Sequence, residues 1–358
     1  VDPVPVSEPA GRITIDQRSI DGSEVATLQV GPVRLEVLAH GAHLVGLWWP
    51  DRHGRTDNVA VSLRRPDGSV DVAAYRDPVR NPHLGGMAGR YANRIASSRF
   101  APDGALHELT PNEGPHHLHG GPVGFDRRDW AMATDQDDLG AEVRLRLDSE
   151  AGDQGYPGAV EVEVRYRLDL SGELGITAEA TTDASTVLNV TNHTYWNLAG
   201  TSDPALADEA SVRDHLLSVA ADRVVRVDGA LIPTGALDPV AGTAFDLRRR
   251  TRLGDAIDRP ELATVGGLDH CWVLDGSVPS AELVDPAGGR RIRIRTHQPG
   301  VPVYTANHGA GPLPRHGAVC LETQCLPDAP NQPTFPSAVL RPGQRYRHEH
   351  VVELGTTD

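Results

Sequence analysis

The amino-acid sequence predicts an all-β protein on three observations. Short segments of strict apolar/polar alternation recur along the chain, turn-forming dipeptides separate them, and the 3.6-residue periodicity of helices is scarce. Alternation with period two places apolar side chains on one face of a sheet and polar ones on the other.

Taken in order, residues 1–10, with Pro3, Pro5 and Pro9, read as a loose arm, and residues 11–358 as a single domain. The cleanest strands are 141–148, 161–168 and 291–295, where Val, Leu and Ile alternate with Arg and Glu. Hairpin turns are signalled at Asp21-Gly22, at Asp67-Gly68 after Pro66, at Asp103-Gly104 after Pro102, at Asp228-Gly229 and across 285–289. Only 205–210 and 253–257 have room for a turn or two of helix. No repeat of 20–50 residues is visible, which counts against a propeller or solenoid. No change of composition marks a linker. The architecture that follows is one large antiparallel β domain, either a sandwich of extended sheets or a large barrel.

Composition removes whole classes of function. The 358 residues include no lysine, so all 34 basic residues are arginine. Schiff-base catalysis, lysine-anchored pyridoxal phosphate, a Walker A loop and a kinase lysine each need the missing amine. A net charge of −15 argues against nucleic acid and anionic membrane surfaces as partners. Uncharged apolar runs such as 44–50 fall far short of the roughly 20 residues that span a bilayer. Cys271, Cys320 and Cys325 form no C-x-x-C pair, and the expectation is reduced thiols in a cytoplasmic protein. There is no G-x-S-x-G elbow for acyl transfer.

Four segments carry candidate chemistry. In 188–198, His193, Tyr195 and Asn197 fall on one side of a strand as neutral hydrogen-bonding groups, either an outward wet face or the lining of a ligand groove. In 319–324, Val319 and Leu321 share one face, leaving Glu322 and Gln324 on the other, ahead of a Pro/Asn-rich loop; the carboxylate is either solvated or a general base. In 115–121, His117 and His119 lie two apart, as strand-borne metal ligands do. The metal-dependent cupin pattern needs a glutamate three or four residues after its His-x-His, and Val123 and Gly124 stand there instead. The reading is therefore no metal, with His119 a hydrogen-bonding group beside Gly120-Gly121. In 85–95, the glycines match no phosphate-binding motif, and Asn93 and Arg94 offer either a donor pair for ligand hydroxyls or an arginine in a structural ion pair.

Taken together, these segments resemble the aldose 1-epimerases (galactose mutarotases) from about residue 30 to 352. The resemblance rests on GRYANRI at 89–95, LHGG at 118–121 with GFD at 124–126, GYPG at 155–158, NHTYWNLAG at 192–200, GLDH at 267–270, QPG at 298–300 and ETQ at 322–324 with PDAPN at 327–331. It implies a β-supersandwich of large antiparallel sheets with few short helices, and reversible conversion of the α and β anomers of free aldoses of the glucose and galactose type. It also implies His193 as general acid and Glu322 as general base, with Asn93, Arg94, His119, Tyr195, Asp269 and Gln298 holding sugar hydroxyls. Departures are mild: Ser98 and Ala306 stand where the family has glycine, and Trp196 where phenylalanine is common.

The residues suit this chemistry by themselves. Opening a hemiacetal requires a base for the anomeric hydroxyl and an acid for the ring oxygen, and no cofactor. Ordinary pKa values near 6.5 for His and 4.3 for Glu would put both groups in the needed states close to neutrality. The expected partner is a small monosaccharide, with the protein a monomer or homodimer. The alternatives are a non-catalytic carbohydrate-binding protein, a metal-dependent sugar isomerase built on His117 and His119, and a related enzyme acting on an unusual sugar or sugar-like metabolite.

Overall fold

A computed structural model describes residues 12–201, 211–309 and 313–357. The expected arm at 1–10 and the possible helical turn at 205–210 lie outside them. Long antiparallel ladders dominate the rest, as the alternation predicts. Five strands form a meander in chain order: Ile13–Ile20, Ser23–Val30, Val33–Leu38, His43–Pro50 and Thr56–Asn58. The first hairpin closes through Asp21 and Gly22, both at positive φ (49° and 76°), the backbone that a two-residue hairpin turn demands.

A nine-stranded sheet carries the segments whose alternation is clearest. Gly140–Ser149, Val160–Asp169, Glu173–Thr182, Tyr346–Thr356 and Arg290–Thr296 are successive neighbours in it. Val143, Val164, Tyr166, Ile176 and Ile292 are buried on its inner face, while Arg and Glu pair on the outer one, as in Arg146 with Glu163 and Arg293 with Glu282. Among the described residues helix is confined to single turns, the five-residue α-helices Val72–Arg76 and Leu253–Ile257 among them; the latter is where the sequence leaves room for one. No helix of the described residues is long and apolar enough to cross a membrane.

The third sheet has six strands, in the order Tyr195–Trp196, Val319–Leu321, Gly300–Tyr304, Asp269–Val273, Arg223–Val227 and Pro233–Pro239. Trp196, Leu321, Val301, Val303, Trp272 and Val224 project from one of its faces into the main apolar cluster, which also takes in the inner faces of the other two sheets. This face-to-face packing of extended antiparallel sheets agrees with the predicted supersandwich. The opposite face of the six-stranded sheet is the one that matters for function.

Candidate active site

Register alone assembles that face. Tyr195 pairs with Cys320, Tyr304 with both Cys320 and Asp269, and Pro302 with Cys271. Side chains two apart share a face, so extending the first ladder by two residues sets His193 opposite Glu322. The two side chains meet there, with His193 Nε2 3.5 Å from Glu322 Oε1. The Glu322 backbone N–H donates to the Pro302 carbonyl, and the His193 N–H donates to the Gly86 carbonyl. Asp269, opposite Tyr304, begins the strand beyond Gly300–Tyr304 on the same face.

The remaining groups arrive on loops. Arg94 pairs with Leu118 across a two-residue ladder, Arg94–Ile95 against His117–Leu118. Beyond the ladder, Asn93 and His119 lock together reciprocally: the His119 N–H donates to the Asn93 carbonyl, and the Asn93 N–H donates to His119 Nδ1. Gly120 is forced here, because a Cβ on it would sit 1.8 Å from the Gly89 carbonyl oxygen. Asn93, Arg94 and Asp269 line one pocket together with Val225, Val227, Leu231, Cys271 and Pro302. Glu322 adjoins it through its backbone bond to Pro302, and His193 lies against Glu322; the two are nearly covered, at 3% and 4% exposure.

The structure divides several of the sequence candidates. Arg94 forms the structural ion pair of its second reading, forking onto Glu113 with Nε to Oε2 at 2.6 Å and Nη2 to Oε1 at 2.8 Å, and it also lines the pocket. Tyr195 stacks on His193, ring centroids 5.0 Å apart, but its hydroxyl donates to the Pro82 carbonyl. Gln298 is buried beside Cys325, and Gln324 is sealed within the protein. Asn197 does not extend the row of His193 and Tyr195; its amide donates to the Gly317 carbonyl, which makes it a structural group. His117 and His119 do not share a side either. His119 has φ of 50°, which breaks the strand, and His117 turns away to bond the Thr110 carbonyl and the Tyr156 hydroxyl.

Burial overturns the expectation of ordinary pKa values. Desolvation, reinforced by Asp269 and opposed by Arg94, pushes the Glu322 carboxyl up to about 8. Desolvation, reinforced by His83, pushes His193 down to about 3. Both groups therefore favour their neutral forms, and the pair holds one proton on the carboxyl near neutrality. Asp269 is raised by burial, partly offset by Arg94, and His119 is held well below the usual imidazole range by burial and then by His83.

Ligand atoms of His119, His193 and Glu322 lie within 4.8 Å of one another, a spacing that invites a metal ion. The chemistry of the donors argues otherwise. His119 Nδ1 already accepts the Asn93 N–H, so the neutral ring carries its proton on Nε2 and presents a donor, where a metal needs a lone pair. Such an N–H suits a hydroxyl oxygen. Glu322 Oε2, by contrast, is buried without a hydrogen-bond partner, an open acceptor at the bottom of the site.

Comparison with known proteins completes the picture. A family model described as aldose 1-epimerase matches residues 24–353. The chain belongs to the aldose 1-epimerase family. Human galactose mutarotase is 38% identical over 332 residues, which cover 90% of this chain and 91% of that protein. The aldose 1-epimerase of Escherichia coli K12 is 34% identical, covering 86% and 87% of the two chains. Among solved structures, galactose 1-epimerase from Lactobacillus acidophilus superposes with a TM-score of 0.83 at 27% identity, covering 97% of this chain and 99% of that one. The aldose 1-epimerases thus supply the fold and the reaction class.

Sequence reasoning missed two neighbours of this epimerase site. His83 lies in a loop after Pro82, where no periodicity speaks, and Glu113 shows itself as the partner of Arg94 only in three dimensions.

Proposed function

We propose that this aldose 1-epimerase interconverts the α and β anomers of free aldoses of the glucose and galactose type, with Glu322 as base and His193 as acid. The observation that carries the reading is the buried contact between these two side chains, beside a pocket lined by neutral and charged hydrogen-bonding groups. The anomeric hydroxyl and the ring oxygen are bonded to one carbon, so a base and an acid serving them must sit side by side, as Glu322 and His193 do.

Glu322 first gives its proton to His193. Sugar hydroxyls donating to the carboxylate, together with the charge of Arg94, stabilise that reactive form. Glu322 then takes the proton of the anomeric hydroxyl while His193 protonates the ring oxygen. The C1–O5 bond breaks, the open aldehyde turns about C1–C2, and the same transfers in reverse close the ring on its other face. The proton inventory of the pair is restored with each turnover, and no step draws on a cofactor. Asn93, Arg94, His119 and Asp269 orient the hydroxyls. Tyr195 serves mainly through its stacking on His193, and Gln298 closes the side next to Cys325.

Polarimetry of freshly dissolved α-D-glucose and α-D-galactose tests the assignment. Wild type should speed equilibration, and Glu322→Gln and His193→Asn should each slow turnover by about 10²- to 10⁴-fold. Sugar binding by wild type without faster equilibration would make the protein a carbohydrate-binding module instead. Full activity in either variant would remove that residue from the mechanism.

A further inference from the structure

Behind the proposed acid lies a second polar assembly that the mechanism above does not use. His83 Nδ1 is 2.7 Å from Asp126 Oδ2, and the Asp126 side chain is wholly buried while that of His83 is 23% exposed. Arg127 Nε reaches the same carboxylate oxygen at 3.2 Å. The carboxyl is held down at about 2, against the cost of its burial, by His83 and Arg127. It is therefore ionised, and the 2.7 Å contact is an Nδ1–H donating to a carboxylate, the arrangement that fixes an imidazole's tautomer and orientation.

The ring so fixed lies against both site imidazoles. Its centroid is 4.8 Å from that of His119, and 5.9 Å from that of His193 at an interplanar angle of 28°. His119 and His193 in turn meet edge to face at 5.1 Å, so the three rings form one packed group. The backbone at His83 is left-handed, φ 67°, a conformation that a bulky residue holds only when its surroundings fix it.

We propose that His83, anchored by Asp126, is a positioning residue of this epimerase site, bracing the rings of His119 and His193 and setting their electrostatic surroundings. Through space, His83 disfavours protonation of both His193 and His119, which makes His193 the stronger acid toward a ring oxygen. The other charged or titratable groups facing this assembly are Arg127 and His43 toward Asp126, Arg94 and Arg127 toward His119, Glu322 and Tyr195 against His193, and Asp126 itself, which acts on His193 in the opposite sense to His83. The inference rests on the acid role proposed for His193, and the experiment separates the two.

The test is the pH dependence of kcat and KM for mutarotation in His83→Phe and His83→Asn. The phenylalanine variant keeps a ring but loses both the bond to Asp126 and the polar influence. It should lower kcat about tenfold with KM little changed, since misorientation of a catalytic group costs turnover first. It should also move the acid limb of the kcat profile, the one His193 governs, to higher pH by about one unit, because that imidazole then holds its proton more tightly. In the asparagine variant the amide can still donate to Asp126, so kcat should partly recover. Wild-type kcat and an unmoved acid limb in both variants would overturn the proposal, and so would lost activity with an unmoved acid limb, which a purely structural role predicts. Retained activity in His193→Asn would overturn the acid assignment instead, whatever the His83 variants do.

Discussion

The nine-stranded sheet and the six-stranded site sheet are built from the same chain by opposite means. In the first, strands of up to eleven residues bury an aliphatic row and wet a row of Arg and Glu, most of which pair across the strands near water. In the second, strands of two to seven residues set carboxylates and imidazoles on a covered face, where Glu322 Oε2 and Gln324 Oε1 have no partner. Left-handed backbone at residues other than glycine follows the same division. His83, Asn93 and His119 all show it around the site, whereas from 131 to 182 only Gln154 does. One sheet is stabilised by its side chains; the other holds costly groups in place for a ligand.

Glu322→Gln gives the largest separation between the two. Beyond its loss of turnover, it should become more stable relative to wild type as pH rises. The Glu322 carboxyl is raised to about 8 in the fold against an ordinary value of 4.5, so the folded state binds more protons across that interval. Wild-type stability is therefore fully present below 4.5 and is lost as pH climbs through 8, whereas the amide never ionises. Urea unfolding at pH 6 and 9 checks this. A variant that is no better off at pH 9 would mean the carboxylate is not isolated from water. In the nine-stranded sheet, Ile176→Ala should do the reverse, costing about 2–5 kcal/mol through a cavity in the core while the folded fraction turns over normally.

A smaller effect tests how strictly the sheets differ. The last long strand, Tyr346–Thr356, breaks the aliphatic rule by facing His348 and His350 inward, both buried against the hydroxyl of Thr323 next to Glu322. Burial pushes His348 down to about 3 and His350, His117 and His215 down to about 4. Each is lowered in the fold, so the unfolded chain binds more protons below 6.5, and stability should fall as pH drops from 6.5 toward 4. With several such groups, the slope should exceed the ~1.4 kcal/mol per pH unit of one titrating residue. Unfolding free energies measured at half-unit steps give it, and a shallower slope would mean that water reaches these imidazoles.

The same contrast explains what the sequence makes legible. Strands 141–148 and 161–168 could be read because ten-residue ladders repeat their period often enough to be recognised. The site could be named but not assembled. His193 and Glu322 stand out as polar groups on apolar strands, yet their contact depends on a register between segments more than a hundred residues apart. Their pKa shifts depend on burial, which no local pattern encodes. Asn197 and His117 share the local pattern of His193 and His119; the left-handed backbone at His119 and the bond of the Asn197 amide to the Gly317 carbonyl separate them, and neither is written in the pattern. His83 carries no signal at all, because a loop has no period.

Backbone strain provides the finest test. Ala306 and Ser98, the two positions where the resemblance leads one to expect glycine, have φ of 48° and 50°. An L-residue pays about 1–2 kcal/mol to hold that conformation, and glycine pays instead through the extra freedom of its unfolded chain, about 0.4–1 kcal/mol. The balance favours glycine by about 0 to 1.6 kcal/mol. Ala306 is the cleaner case. Its methyl is buried, but its carbonyl accepts the N–H groups of Gly309 and His316, so the turn is held by backbone and survives the loss of the side chain. Ala306→Gly should therefore raise the urea midpoint slightly and leave mutarotation unchanged. Asn93→Gly relieves the same kind of strain at the site, but it deletes an amide placed beside the pocket, so any gain in stability should come with a loss in turnover. If both glycine variants gain stability and neither loses activity, left-handed backbone at the site is incidental, and the contrast between the two sheets rests on buried charge alone.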